Sequence, residues 1–376
     1  MSYRYTFESW IFCAACALAL NACGGGGGSS MSSQPVTGLT DAALTSNGVI
    51  AAAHNDPNLQ NPWGVAAAPG GPFWIADNNS NKATVYDGTG AVLAPTVTIS
   101  PGTSGPANAT GEVYNGTADF MITTGLGTAP AQFIFAGEGG TINAWSQSIS
   151  GTTADVEYDD GAGGAVYKAL VLANNGTANH LYATDLHNAR IDVFDGTFHK
   201  VALAGSFADP TVPAGFAPFG MALINSQLYV TYAKQDATAH DEVLGAGLGY
   251  VNVFDLNGNF VKRFASAGTL NAPWGMTMAP AGFATMAGQL LIGNFGDGVI
   301  NGFDPMTGVH MGTVGLASGK QLVIPGLWSL TFGNGAPNQP ASTLFYTAGP
   351  NNQVDGVFGG VKVTTSSMPA CTGYGC

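Results

Sequence analysis

A short motif recurs along this chain at intervals of about 50 residues, a spacing typical of the blades of a β-propeller. The clearest copies are Asn-Pro-Trp-Gly at 61–64, Ala-Pro-Trp-Gly at 272–275 and Ala-Pro-Phe-Gly at 217–220. Each copy is followed by short apolar segments separated by turn residues. A repeat of this length with about four strands per unit predicts six blades arranged in a ring.

The composition agrees with a fold built from strands. Hydrophobic residues make up 45% of the chain and charged residues only 9%, against about 25% charged residues in an average globular protein. The chain also contains 55 glycines. Few charges and many glycines favour short strands joined by tight turns over amphipathic helices.

Aligning the repeats on the tryptophan of the motif predicts one equivalent residue per blade. The six predicted positions are Trp63, Asn115, Lys168, Phe219, Trp274 and Trp328. This alignment places the first strand of the second blade at 118–123. The sixth repeat lacks a fourth strand, so we expect residues 47–53 to complete it and to cover an exposed sheet edge. The sequence therefore predicts an all-β, six-bladed β-propeller over 41–363, closed by an N-terminal strand, with a C-terminal tail at 364–376.

Residues 1–23 are predicted to be an export signal. Their apolar stretch is too short to span a bilayer, and Leu-Asn-Ala-Cys at 20–23 resembles a bacterial lipobox in which Cys23 is acylated. Residues 24–40 begin with glycines and serines and read as a flexible tether. By resemblance to bacterial lipoproteins, Gly24 favours the outer membrane of the cell envelope. The alternative is an ordinary signal peptide with an incidental cysteine. Cys371 and Cys376 could form a small disulfide loop.

The net charge of the chain limits the classes of molecule that it is expected to bind. The formal net charge is −13, and the chain has only ten lysines and arginines. A surface this acidic argues against nucleic acid and against direct binding to an anionic membrane, so we expect membrane contact through the lipid anchor only. It is compatible with cations, with sugars, or simply with solubility.

The predicted equivalent positions converge on one rim of the propeller channel. Four of them are aromatic and follow one another around the closed ring, whereas Asn115 and Lys168 occupy the other side. One hypothesis is that the six residues bind a protein or carbohydrate ligand at this rim. The alternative is that the aromatic side chains are wedges that pack neighbouring blades together.

Polar residues after the second strands could form a metal site at the same rim. The candidate ligands are Asp77, Glu138, Asp185 and Asn294, whose oxygen atoms would suit calcium, and His187 is a candidate general base. The alternative for such residues is hydrogen bonding to their own turns. Glu138 and His187 differ from the residues in the other repeats, which makes a functional role more plausible for them.

The motif at 61–64, the Phe-Trp-Ile-Ala-Asp-Asn segment at 73–78 and the Asn294/Gly296 loop resemble an uncharacterised family of exported bacterial six-bladed propellers. Some members of that family end in a PEP-CTERM sorting tail, and NHL-repeat propellers are more distantly similar. The present chain differs in having a lipobox instead of that tail. The resemblance implies a fold but no reaction.

Two functions follow as hypotheses. The first is a non-enzymatic, lipid-anchored binding or scaffold module of the cell envelope. The second is a divalent-metal-dependent hydrolase or lyase similar to lactonase-like propellers, which hold their ion with acidic and amide side chains.

Overall fold

The computed structural model describes residues 35–367, which form β-strands and connecting turns almost throughout. Helical structure in this range is limited to two 3₁₀ turns, Gly161–Gly163 and Ala284–Met286, and one short segment, Pro350–Gln353 (α1). None of the helices among these residues is long and apolar enough to cross a membrane. The proposed signal, Cys23, Cys371 and Cys376 lie outside the described residues.

The strands follow one another in seven groups along the chain, and the first group joins the last in one sheet. In chain order they are β1 (Pro35–Ser46) and β2 (His54–Asn55); β3 (Pro62–Ala67), β4 (Phe73–Asp77), β5 (Lys82–Tyr86) and β6 (Val92–Ile99); β7 (Ala109–Tyr114), β8 (Met121–Thr124), β9 (Gly127–Pro130), β10 (Phe133–Gly137), β11 (Thr141–Trp145) and β12 (Thr153–Asp159); β13 (Tyr167–Asn174), β14 (Asn179–Asp185), β15 (Arg190–Phe194) and β16 (Lys200–Val201); β17 (Phe216–Ile224), β18 (Gln227–Gln235), β19 (Glu242–Val243), β20 (Tyr250–Phe254) and β21 (Phe260–Ser266); β22 (Pro273–Met278), β23 (Leu290–Asn294), β24 (Ile300–Phe303) and β25 (His310–Thr313); and β26 (Leu327–Phe332), β27 (Leu344–Ala348) and β28 (Val357–Ser367).

These strands form six antiparallel blades, which confirms the predicted propeller. The innermost strands are β3, β7, β13, β17, β22 and β26, and each stands at the end of its sheet with one free edge. The first two blades are linked through their outer strands, because β6 and β12 pair in parallel over two residues each. Hairpin β8–β9 and the short strand β19 are additions to blades two and four.

The glycine of the repeated motif allows neighbouring blades to approach closely. A Cβ atom on Gly64 would lie 2.6 Å from the Thr110 carbonyl oxygen of the next blade, and one on Gly275 would lie 2.4 Å from the Trp328 carbonyl oxygen. Contacts this short do not occur between real atoms, so a side chain here would force the blades apart. The motif is therefore first a packing signal of the innermost strands.

An N-terminal strand closes the ring, as predicted, but it is not the predicted segment. The closing strand is β1, which pairs with β28 at the outer edge of blade six. Residues 47–53 form bends and irregular structure instead. The reason is side-chain burial: Leu39 and Leu44 of β1 pack into two separate core clusters, whereas 47–53 offers mostly small residues and a left-handed Gly48. Strand β1 thus begins inside the predicted tether, and β28 continues past residue 363.

The innermost strand of blade two also differs from the prediction at 118–123. It is β7, which pairs with β10 and begins at Ala109. The prediction placed this strand too far along the chain because the inserted hairpin β8–β9 lengthens the blade after its first strand. The residues before and in β7, Asn-Ala-Thr-Gly at 108–111, parallel Asn-Pro-Trp-Gly at 61–64, but no aromatic residue marks the copy.

Candidate ligand site at the channel mouth

Four aromatic side chains from different blades meet in the propeller channel. Trp63 stacks on Trp328 with ring centroids 3.4 Å apart, and Trp274 and Phe219 meet Trp63 edge-on at 6.0 and 6.3 Å. All four are buried, and even Trp274 is only 8% exposed. We call Trp63, Phe219, Trp274 and Trp328 the aromatic plug, because their rings pack against one another inside the channel. Their role in binding a ligand stays a prediction.

The position equivalent to Trp63 in blade two is Thr110, and not Asn115. In blade one Pro62 pairs with Asp77 just before Trp63, and in blade two Ala109 pairs with Gly137 just before Thr110. Thr110 is buried, and its hydroxyl donates a hydrogen bond of 2.8 Å to the Tyr167 carbonyl oxygen of the next blade. The structure therefore places Asn115 beyond the opposite end of β7, away from the other five predicted residues.

Lys168 is the charged residue among the six predicted equivalent positions, and it is fully buried beside the aromatic plug. Its ammonium group forms an ion pair with Glu138, lies 3.6 Å from Asp241, and lies 5.2 Å from the centre of the Trp63 ring. Burial alone lowers the pKa of Lys168, but the nearby carboxylates of Glu138, Glu242 and Asp241 outweigh burial and raise it above its usual value. Lys168 is thus a permanent positive charge.

A loop from blade four brings the remaining charged groups over Lys168. This mouth loop, residues 236–242, joins β18 to β19, and its conformation is fixed by Asp236, which accepts hydrogen bonds from Thr238 and His240. His240 Nδ1 lies 2.9 Å from Asp241 Oδ1, and this hydrogen bond is the main reason that the pKa of His240 is raised. Burial raises the pKa of Glu242 to about 7, although Lys168 opposes the shift.

Sequence reasoning did not identify His240, Asp241 or Glu242. The available signal was the long connection between the second and third strands of blade four, which carries Asp-Ala-Thr-Ala-His-Asp-Glu at 236–242. Insertions of this kind frequently carry function.

The predicted metal ligands do not come together as a set. Asp185 accepts hydrogen bonds from the Val166 and Asn188 amides and from the Asn188 side chain, and Asn294 bonds to the Thr269 carbonyl and to the Asn271 amide. Asp77 is fully buried, accepts a hydrogen bond from Thr84, and has its pKa raised by burial. These three side chains are tied into their own surroundings, as turn and core residues are.

Glu138 alone of the predicted ligands joins a group with metal-like spacing. Among residues 35–367, ligand atoms of Glu138, His240 and Asp241 all lie within 4.8 Å of one another. The Lys168 ammonium, however, already contacts two of these carboxylates. A divalent cation here would meet a fixed positive charge at short range, so the residues present do not fit the predicted calcium ion well.

Two cavities open on either side of the mouth loop. The first, of about 530 Å³, is lined by Glu138, His187 and His240, with walls of small residues from blades two and three. The second, of about 490 Å³, is lined by Asp241, Glu242 and Asp297 together with apolar residues, among them Leu244 and Phe295. Glu138 and His187 are the two residues that the sequence singled out as departures from the repeat. The structure places both at the first cavity.

Two proteins of Acanthamoeba polyphaga mimivirus are similar to this chain over most of its length. "Uncharacterized protein R648" is 33% identical over 324 residues, which cover 85% of this chain and 78% of that protein. "Uncharacterized protein L690" is 34% identical over 327 residues, which cover 84% and 83%. No protein-family model matches the chain.

Solved structures show the same fold at low sequence identity. A putative gluconolactonase superposes with a TM-score of 0.51 at 14% identity, covering 88% of this chain and 94% of that one. A Bacteroides thetaiotaomicron protein of unknown function gives a TM-score of 0.53 at 13% identity, covering 88% and 77%. The structural neighbours are propellers, and the exported bacterial family suggested by the sequence is not among these relatives.

Proposed function

We propose that this chain, which belongs to the same family as the mimivirus proteins R648 and L690, is a binding module that captures a basic segment of a partner protein at its channel mouth. The observation that supports this proposal is the surplus of carboxylates there. Glu138, Asp241, Glu242 and Asp297 line the two cavities. Lys168 is buried and already paired, so it is not available to a ligand.

The cavity walls favour basic side chains over sugars. Leu244 and Val323 are about half exposed beside the acidic groups of the second cavity, where Phe295 also contributes. Lysine and arginine place their aliphatic stems on such apolar walls and their charged ends near carboxylates. Carbohydrate sites commonly offer an open aromatic face, whereas the plug rings are buried against one another.

The test is binding of a fluorescent octa-arginine peptide, measured by anisotropy at two salt concentrations. We expect the double variant Asp241→Asn/Glu242→Gln to bind about 10-fold more weakly, because both residues line the second cavity. The matched control is Asp155→Asn/Glu157→Gln on outer strand β12, which removes the same charge elsewhere. Equal losses in both variants would show a diffuse charge effect, and preferential binding of a neutral oligosaccharide would contradict the proposal.

The second candidate function is a metal-dependent hydrolase or lyase. It is supported by the Glu138, His240 and Asp241 group, with His187 in the same cavity as a candidate base, and one fold neighbour is described as a putative gluconolactonase. We rank it second because Lys168 competes with a metal for the same carboxylates. Calcium binding by calorimetry together with hydrolysis of a sugar lactone, both lost in Glu138→Gln, would reverse this ranking.

We also propose that Cys23 anchors the propeller to the cell envelope through an acyl group, with the outer membrane as the expected location. Support comes from the lipobox-like sequence at 20–23. Labelling with a palmitate analogue in a Gram-negative host should mark the wild-type chain and Cys16→Ser, but not Cys23→Ser. Absence of labelling in all three chains would leave an ordinary signal peptide as the explanation, and equal labelling of all three would place the acyl group on a residue other than Cys23.

A further inference from the structure

Glu112 is a buried carboxylate that the proposed ligand site does not use. It lies on β7, two residues beyond Thr110, and its side chain is among the buried charged groups at 6% exposure. Neither of its carboxylate oxygens has a hydrogen-bond partner among the described residues. An unpaired carboxylate in this environment is strongly destabilising, so it requires a proton or a ligand.

A polar cavity lies beside it in the channel. The cavity measures about 150 Å³, and residues of all six innermost strands line it, among them Glu112, Ser329 and Thr331. Because each innermost strand has one unpaired edge, backbone N–H and C=O groups are available along the channel. The volume accommodates a cation with a few water molecules, at about 30 Å³ for each water.

We propose that this cavity is a binding site for a small hard cation, held by the Glu112 carboxylate and by backbone carbonyl oxygens of the innermost strands. Oxygen ligands of this kind suit sodium, potassium, magnesium and calcium. The nearby Asp77, whose second carboxylate oxygen is also unpartnered, adds to the preference for positive charge. Lys168, the cation of the channel mouth, pairs with Glu138 and not with Glu112.

The proposal does not depend on the mouth ligand, and a pair of variants separates the two sites. The full chain is treated with a chelator and dialysed at pH 8 into a tetramethylammonium chloride buffer that contains no alkali metal. It is then titrated with sodium, potassium, magnesium or calcium chloride at constant ionic strength, and Tm is recorded. At least one cation is expected to raise the Tm of the wild type and of Glu138→Gln by several degrees. The same cation should leave Glu112→Gln unchanged, and the metal-free Glu112→Gln should be at least as stable as the metal-free wild type.

Two results would contradict the proposed cation site at Glu112. One is a wild type whose Tm responds to none of the four cations, which would make Glu112 a buried neutral acid. The other is a shift that persists in Glu112→Gln or disappears in Glu138→Gln, which would move the cation to the mouth. If Glu112→Gln fails to fold, anomalous diffraction decides the question, from wild-type crystals grown with a heavy substitute for the cation that raised the Tm: rubidium or thallium for a monovalent ion, manganese for a divalent one. A peak within about 3 Å of a Glu112 carboxylate oxygen supports the site, and its absence refutes it.

Discussion

Lys168 and Glu112 are both buried charged residues on innermost strands of neighbouring blades, yet their surroundings are opposite. Lys168 meets the carboxylates of Glu138 and Asp241 and the face of Trp63, whereas Glu112 has no hydrogen-bond partner among the described residues. Burial raises the pKa of Glu112, and Asp77 raises it further. For Lys168 the neighbouring carboxylates reverse the effect of burial. The depth of burial therefore does not by itself decide whether a buried group is stable in its charged form. The charged and hydrogen-bonding partners around the group decide it.

The channel has two regions with different chemistry. At the mouth, the mouth loop supplies counter-charges to Lys168 and borders two open cavities. Around Glu112, the innermost strands supply backbone groups but no counter-charge. The first region is suited to exchange a ligand with solvent, and the second is suited to hold a small ion.

The largest expected effect comes from removing part of the aromatic plug. Trp328 stacks on both Trp63 and Phe295, and its indole N–H donates a 2.9 Å hydrogen bond to Asn61. Trp328→Ala should lower the free energy of unfolding by about 3–5 kcal/mol, because it opens a cavity among rigid rings. Urea denaturation measures the loss, with the half-exposed Phe260→Ala as control. A stable variant that has lost only ligand binding would show that the ring is a binding residue instead.

Lys168→Met tests the comparison directly, since it removes the cation that pairs with Glu138 and leaves the Asn78 amide as the hydrogen-bond donor to that carboxylate. We expect a loss of about 3 kcal/mol at pH 7, because the buried Glu138 carboxylate loses its cation. Lys234→Met, on the exposed part of β18, is the control. A variant as stable as the wild type at pH 7 would refute the view that partners decide the cost of burial.

Gly111→Ala tests whether β7 is the innermost strand of blade two and packs closely against β13. A Cβ atom at residue 111 would lie 2.4 Å from the Leu170 amide nitrogen, so we expect destabilisation by about 1–3 kcal/mol. Gly125→Ala is the control, because nothing lies within 4 Å of its added Cβ and its φ is not left-handed. Similar thermal midpoints for the two variants would argue against the close approach of β7 to β13.

The smallest expected effect is a pH dependence of the local stability of the mouth loop. The folded pKa values of Glu242 (about 7) and His240 are raised above their ordinary values, so both groups favour folding when protonated. Their contribution is complete below the unfolded pKa values and is lost as pH rises through the folded ones. Amide hydrogen exchange in residues 236–243, corrected for intrinsic rates, should therefore show weaker protection at pH 8 than at pH 5.

Glu242→Gln should reduce that pH dependence. Glu157→Gln is the matched control, because burial and Asp155 raise the pKa of Glu157 to about 7 as well, but on outer strand β12. If the control variant flattens the exchange profile of the loop equally, the titrating group does not lie at the mouth.

Five of the six aligned positions were predictable because their glycine, serine or alanine neighbours and flanking apolar strands keep a regular register. Asn115 was misplaced because Thr110 carries no aromatic signature and an extra hairpin follows β7. Glu138 and His187 stood out as departures from the repeat, and the structure places both at one cavity. The cluster of Lys168 with Asp241 and Glu242 was not predicted, because Asp241 and Glu242 lie on an inserted loop whose conformation the repeat does not set.

By itself, the sequence determined the blade count, the all-β architecture and closure by an N-terminal strand, because the repeat period and strand patterns are local properties. The tertiary structure decided which segment closes the ring, that the aromatic residues form a buried plug, and which charges meet. Those outcomes depend on contacts between residues far apart in the chain, such as Trp63 with Trp328 and Lys168 with Asp241. Only the closed ring fixes their distances, and therefore only the closed ring fixes their pKa values and roles.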